Sequence, residues 1–426
     1  MYHILTNKSI SGGEVLQGES LLVDGSRIID RGPAYELDTQ GAEVIDLRGL
    51  VVMPGLIDIH VHGGAGYDVM DSTFEALDEI SKHKLKEGCT SFCPTTITAP
   101  EDKIIAAIKN IKDAMDKGTT GAKIIGAFLE GPYISPKYKG AHQKEHIQPV
   151  DLPAIKKLIA AGEAKTETKG EAKGKNKGKN KNEAKKENEA KKENKSVVVS
   201  ILIAPELPGA IQAIETLVKM GIQVRIGHSA ATFEEAESAV KAGANMAVHT
   251  YNAMSPLHHR EPGMVGAILT CPTLAGELIC DMAHVHAKAA KLLASAKGAG
   301  GTVLVTDAMA GAGLLDGEYE LGGLKVNIEK GIPRLETGIL AGSTACAIGC
   351  LKNMHQVVGV PLEEATEMFT ATPAKILGVF DRIGSLDTGK SADIIAVDED
   401  LNVRFAMLDG IVKEFEDMHE NLRKFT

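Results

Sequence analysis

Eight short apolar runs alternate with longer amphipathic stretches along the middle of this 426-residue chain. The runs are residues 51–59, 90–97, 124–129, 197–204, 222–226, 246–248, 274–280 and 302–305; the stretches include 73–87, 101–117, 151–161, 208–220, 232–242 and 286–297. Parallel strands covered on both faces read as continuous apolar segments, and each needs a crossover, usually a helix, to reach its neighbour. Eight is the number of units that closes a ring. The expected fold is therefore α/β, a TIM-like (β/α)8 barrel. An open doubly wound sheet is the alternative. It would carry a glycine-rich dinucleotide turn after its first strand, and Gly63-Gly64-Ala65-Gly66 lacks that spacing.

The two ends differ from the middle. Residues 1–50 and 384–426 hold short alternating segments punctuated by Asp24-Gly25, Arg48-Gly49 and Asp409-Gly410. Neither end is long enough for a covered sheet of its own, so the two are expected to join as a small β-sandwich domain beside the barrel of residues 51–383. A Lys/Glu/Asn-rich insert at 164–196 interrupts that barrel. It has too little apolar surface to offset chain ordering, so disorder is expected there.

Between residues 165 and 195 lie twelve Lys and six Glu, so the rest of the chain carries −16 against an overall −10. So acidic a body is a poor partner for nucleic acid, and an anionic ligand would need its own local cation. There is no apolar run of membrane-spanning length and no secretory leader pattern at Met1–Ile10, and the six cysteines make no disulfide framework. A cytoplasmic protein with buried thiols is expected, with no membrane partner.

Polar residues then fall at the carboxyl ends of the runs. His60 and His62, two apart on a strand, face one side. Glu130, His228, His249 and Asp307 end the third, fifth, sixth and eighth runs. Alone, each is an ordinary hydrogen-bonded or capping residue. Together they place nitrogen and oxygen donors where barrel enzymes carry chemistry, a set suited to one or two borderline divalent cations, zinc or iron, per subunit.

The block Gly55-Leu-Ile-Asp-Ile-His-Val-His-Gly63 resembles the first-strand signature of the amidohydrolase superfamily. Leu129-Glu-Gly-Pro-Tyr133, Lys139-Gly-Ala-His142, Gly227-His-Ser229, His249-Thr-Tyr-Asn-Ala-Met254, Asp281-Met-Ala-His284, Val305-Thr-Asp-Ala308 and Leu340-Ala-Gly-Ser343 resemble the N-acetylglucosamine-6-phosphate deacetylases within it. The similarity runs from about residue 20 to 415 and omits the insert.

The resemblance implies metal ligation by Glu130, His228 and His249. It implies a second-metal pair in His60 and His62, which other members replace. Asp307 matches the catalytic acid/base and His284 a contact to the acetamido carbonyl. Ala141, His142, Asn252, Ala253 and Arg260 match positions holding the sugar phosphate, the Arg260 position being one that can act across a homodimer interface. Leu340, Ala341 and Gly342 match a backbone stretch that contacts substrate. The implied reaction is deacetylation of N-acetyl-D-glucosamine 6-phosphate in amino-sugar catabolism.

Chemistry agrees with that reading. Hydrolysing an amide at neutral pH calls for an activated water, a base for its proton and an acid for the leaving amine. No Gly-x-Ser-x-Gly turn offers a serine nucleophile instead. No glycine-rich phosphate loop is present either, which leaves Arg260 as the phosphate candidate, or as one half of a surface ion pair. Two readings compete: a deacetylase for the galactosamine epimer, and a non-catalytic scaffold on the same fold.

Overall fold

The computed structural model describes residues 1–163 and 196–413. The expected insert lies outside the described residues, apart from Ser196, as does the chain after Lys413.

Eight parallel strands form the barrel: Leu56–Val61, Cys89–Thr96, Ala127–Leu129, Val198–Leu202, Gln223–Ile226, Met246–Ala247, Ala275–Ile279 and Thr302–Val305. Each is registered in parallel on the next. The ring closes through a single parallel bridge, Val61 to Ala308. At this seam the Asp307 N–H donates to the His60 carbonyl at 3.0 Å, and the His62 N–H donates to the Ala308 carbonyl at 2.9 Å. Every residue of the first two strands is buried. Both their faces are covered, so the polar side chains within them, such as Asp58, Ser91 and Thr95, are buried as well.

The six expected helices are present as Phe74–Lys86, Glu101–Lys117, Leu152–Ala161, Ala210–Lys219, Phe233–Lys241 and Ala287–Lys297. Local chemistry sets their starts. The Thr73 hydroxyl accepts from the Ala76 N–H, and Thr232 with Glu235 forms a reciprocal capping box. Gly263–Thr270 and Ala347–Gln356 complete the outer ring. Inside it, Ile57, Ile59, Met246, Ile279, Val303 and Val305 pack in one cluster with Ala374, Val379 and Ile383. The barrel is a filled core, so ligands have access only at its mouth.

The run at 51–59 is two strands rather than one. Val51–Pro54 pairs with Ile394–Val397 and with Lys8 and Ser9, in a six-stranded sheet drawn from both chain ends. The break falls at Gly55, where a Cβ would stand 2.1 Å from the Thr90 side chain. A four-stranded sheet of Tyr2–Leu5, Glu19–Asp24, Arg27–Pro33 and Glu43–Asp46 faces the first one. Ile4, Leu21, Val23, Ile28, Val52, Ile394, Phe405 and Met407 fill the space between. The small sandwich built from both ends is present, and it hands over to the barrel at Gly55.

A further sheet was not anticipated, nor were the helices Leu362–Phe369 and Ala371–Ile376. After the eighth strand, Gly317–Leu321, Leu324–Glu329 and Ile332–Leu335 form an antiparallel sheet. Its Leu321, Val326 and Ile328 pack on Ile97, Ala141, Met309 and Ala341, which sets the sheet beside the barrel mouth. All six cysteines are unpaired, five of them buried.

Candidate metal centre and active-site cleft

The strand-end residues converge. His60, His62 and Asp307 form one group of donor atoms and Glu130, His228 and His249 a second, each group lying within 4.8 Å. Glu130 stands between them. Its Oε1 lies 3.1 Å from His249 Nε2 and 3.4 Å from both His228 Nε2 and His60 Nε2. Its Oε2 lies 3.0 Å from His62 Nε2. Asp307 Oδ1 faces His62 and His60 from the eighth strand at 3.4 and 3.5 Å.

The backbone is bent to achieve this. His228, His249 and Asp307 have φ of 42°, 26° and 52°, in the left-handed region that side chains with a Cβ disfavour. Such strain of about 1–3 kcal/mol per residue persists only where surrounding structure enforces it. Here each kink ends a strand and turns its side chain toward the barrel axis. Gly140, itself at φ 53°, passes so near that a Cβ would lie 3.0 Å from His228 Cε1. The loop after the third strand thus packs directly on the site.

Three of the four imidazoles are tethered from behind by acceptors that carry no hydrogen. His62 Nδ1 lies 3.2 Å from the Thr95 carbonyl, His228 Nδ1 2.8 Å from that of Tyr138, and His249 Nδ1 3.2 Å from that of Asn252. A carbonyl can only accept, so Nδ1 carries the hydrogen and the Nε2 lone pair faces the centre. The Nε2 atoms of His228 and His249 stand 3.0 Å apart. His60 Nε2 and Asp307 Oδ1 are buried without a hydrogen-bond partner. Lone pairs and carboxylates converging at such distances repel unless a cation lies between them. Donors about 2.0–2.2 Å from a tetrahedral ion are themselves about 3.3–3.6 Å apart. The residues fit divalent ions.

Electrostatics are severe here. Burial pushes the Glu130 carboxyl up, but His60 and the hydrogen-bonding histidines outweigh it and hold its pKa well below the usual range. Burial opposes charge on His62 and His249, yet Glu130 pulls both upward. His142 goes the other way: burial and the neighbouring His228 push it down to about 4, so the ring is neutral near pH 7. Its Nδ1 lies 2.8 Å from Thr98 Oγ1.

A cleft of about 340 Å³ opens over these groups, lined by His62, Glu130, His228, His249 and Asp307 together with Ala141, His142, Asn252, Ala253, His284, Leu340 and Gly342. Three expected site residues lie off its walls. His60 is fully buried beneath it, and Ala341 is buried in the cluster behind it. Arg260 is exposed on its loop with Nη1 2.8 Å from His259 Nε2, away from the cleft of its own chain. The cleft also takes in Lys137 and Tyr138, which sequence reasoning passed over. Also missed were two fully buried charges behind the donors, Arg225 and Glu277. Their signal was there to find: each is a charged residue inside a predominantly apolar run, 222–226 and 274–280.

A filled (β/α)8 barrel with a histidine–carboxylate centre at its carboxyl face defines a metallohydrolase class. The Amidohydrolase family model matches residues 51–418, and the chain belongs to that family. It is 37% identical over 415 residues to the N-acetylgalactosamine-6-phosphate deacetylase of Escherichia coli O157:H7, covering 97% of this chain and 100% of that one. It is 36% identical to the N-acetylglucosamine-6-phosphate deacetylase of Vibrio furnissii, covering 94% and 92%. The crystal structure of N-acetylglucosamine-6-phosphate deacetylase from Pasteurella multocida superposes with a TM-score of 0.84 at 30% identity, covering 97% and 100%.

Proposed function

We propose that this protein is a divalent-metal-dependent deacetylase of N-acetyl-D-glucosamine 6-phosphate, releasing D-glucosamine 6-phosphate and acetate. The observation that carries the reading is the paired donor set at the floor of a cleft lined by the Ala141–His142, Asn252–Ala253 and Leu340–Gly342 segments. Glu130, His228 and His249 hold one ion, and His60, His62 and Asp307 a second. Zinc and iron suit such imidazole and carboxylate donors. A divalent ion held there supplies Lewis acidity to a water and to an amide carbonyl.

The chain's own residues do the rest. Asp307 takes the proton of the attacking water and returns it to the departing amine. Asp281 Oδ2 lies 2.7 Å from His284 Nδ1 and fixes that ring at the cleft wall, where His284 contacts the acetamido group. Lys137 offers the sugar phosphate a cation from within the cleft. Arg260, exposed and outside it, serves the cleft of a second copy in a homodimer. Six unpaired cysteines suit the reducing cytoplasm. Among the described residues no helix is long and apolar enough to cross a membrane.

A scaffold without activity would have no use for six buried donors aimed at one another, an arrangement that is costly unless ions fill it. The galactosamine epimer differs at one hydroxyl, and relatives named for either sugar stand at 37% and 36% identity. The deciding assay therefore measures bound metal and acetate release from three sugars: both 6-phosphates and unphosphorylated N-acetylglucosamine. The glucosamine phosphate is expected to give the highest kcat/KM. A preference for the epimer would change the substrate, and protein supplied with zinc or iron that binds no metal and releases no acetate from any sugar would end the reading.

A further inference from the structure

Of the four imidazoles in the two donor groups, three are anchored by backbone carbonyls. His60 alone leans on a charged side chain, with Glu277 Oε2 2.9 Å from its Nδ1. Glu277 is fully buried in the seventh barrel strand, and its Oε1 accepts from Arg225 Nη1 at 2.7 Å. Arg225, also fully buried, donates from the same nitrogen to the Ile59 carbonyl at 3.0 Å, one residue before His60. Its guanidinium lies 3.8 Å over the Phe128 ring, which meets His60 edge-on at 5.0 Å. The side-chain routes from this pair of charges lead to His60, while Glu277 Oε2 also accepts from the His249 backbone N–H at 3.3 Å.

Burying an ion pair adds little net stability, because desolvation offsets most of the attraction. Its value lies in what it touches. A carboxylate on the outer nitrogen of a metal-binding histidine fixes the tautomer and the ring plane and makes the inner nitrogen a better donor. A carbonyl does the first of these with only a partial charge. Arg225 completes the arrangement by engaging the Glu277 oxygen that His60 does not use.

Resting on the ion-binding reading above, we infer that Glu277, held by Arg225, is a positioning residue that sets the affinity of the His60–His62–Asp307 group for its ion. The Glu130–His228–His249 group, its rings tethered by carbonyls, meets Glu277 only at the His249 backbone N–H and not at a donor atom. The two ions are thus held with separately tuned strengths.

Glu277→Gln tests this, since the amide oxygen can still accept from His60 Nδ1–H but brings no charge. Zinc uptake is measured by elemental analysis across buffered free-zinc concentrations, beside the visible spectrum of the cobalt-loaded protein. One ion is expected to bind as in the unaltered protein and the other about 10–100-fold more weakly. The substitution also strands the buried Arg225 charge and lowers Tm. The double variant Arg225→Gln/Glu277→Gln removes that charge, so Tm recovers while the weaker uptake persists, which a purely structural role would not produce. Should the single variant fail to fold, the double variant carries the measurement. Wild-type affinity for both ions, or equal weakening of both, overturns the inference and leaves the proposed function standing. An unaltered protein that binds no ion, or only one, overturns the two-ion reading and this inference together.

Discussion

At the barrel mouth, titratable side chains crowd around Glu130, whereas aliphatic and aromatic side chains fill the space between the terminal sheets. Both regions contain residues in the left-handed backbone region, but they put it to different use. In the sandwich, Leu401 and Asp409, at φ 60° and 48°, sit in the turns that flank Val403–Leu408. At the mouth, His228, His249 and Asp307 spend the same strain on aiming side chains. Strain that closes a hairpin serves the fold, while strain that aims a donor serves chemistry. Damage to one region should therefore be separable from damage to the other.

The largest separation is expected from Asp307→Asn. The amide cannot carry a proton between water and amine, so turnover should fall by about 10³-fold or more, with Tm close to that of the unaltered protein. A variant keeping a tenth of its turnover would remove Asp307 from that role. Phe405→Ala should do the reverse. Phe405 is 2% exposed between the sheets, and its truncation should lower stability by about 3–5 kcal/mol in denaturant titration. Turnover per folded molecule should hold at low temperature; if it drops, the sandwich shapes the mouth and the separation breaks.

Smaller effects belong to the proposed phosphate contacts. Lys137→Ala and Arg260→Ala should each raise KM for the phosphorylated sugar by about 10–100-fold, as expected for a lost charge-assisted hydrogen bond of about 1.5–3 kcal/mol. The unphosphorylated sugar should barely notice, and equal losses on both sugars would make these residues structural. If Arg260 reaches a neighbour's cleft, mixing Arg260→Ala with Asp307→Asn subunits should recover part of the activity. The smallest effect should follow from replacing residues 164–195 with a short Gly/Ser linker. The Val197 N–H already donates to the Gly162 carbonyl at 3.0 Å, so the flanks meet without the residues between them. kcat/KM and metal content should stay near those of the full chain.

Much of this was legible beforehand because doubly covered strands are rich in apolar residues, and because polar donors must end such runs to face the mouth. Val51–Pro54 escaped since a sandwich strand and a barrel strand, both buried, look alike when only Gly55 separates them. The sheet at 317–335 does carry turn signals at Gly322-Gly323 and Lys330-Gly331. Its strands alternate exposed and buried residues, unlike the continuous runs that guided the count. Lys137 sits in a single 3-10 turn, Pro136–Tyr138, too short for any periodicity to point inward. Arg225 and Glu277 answer each other across two strands, a pairing that one-dimensional spacing does not encode.

The seam between the first and eighth strands has a consequence for how the barrel breathes. His60, His62 and Asp307 straddle that single bridge, so whatever pulls these three donors together also clasps the ring shut. The amide hydrogens of His62 and Asp307 cross the same gap. Their exchange with deuterated solvent should speed up when chelator strips the protein, while amides in the middle of the sheet keep their protection. The last step in closing the barrel and the last step in arming it are then one event.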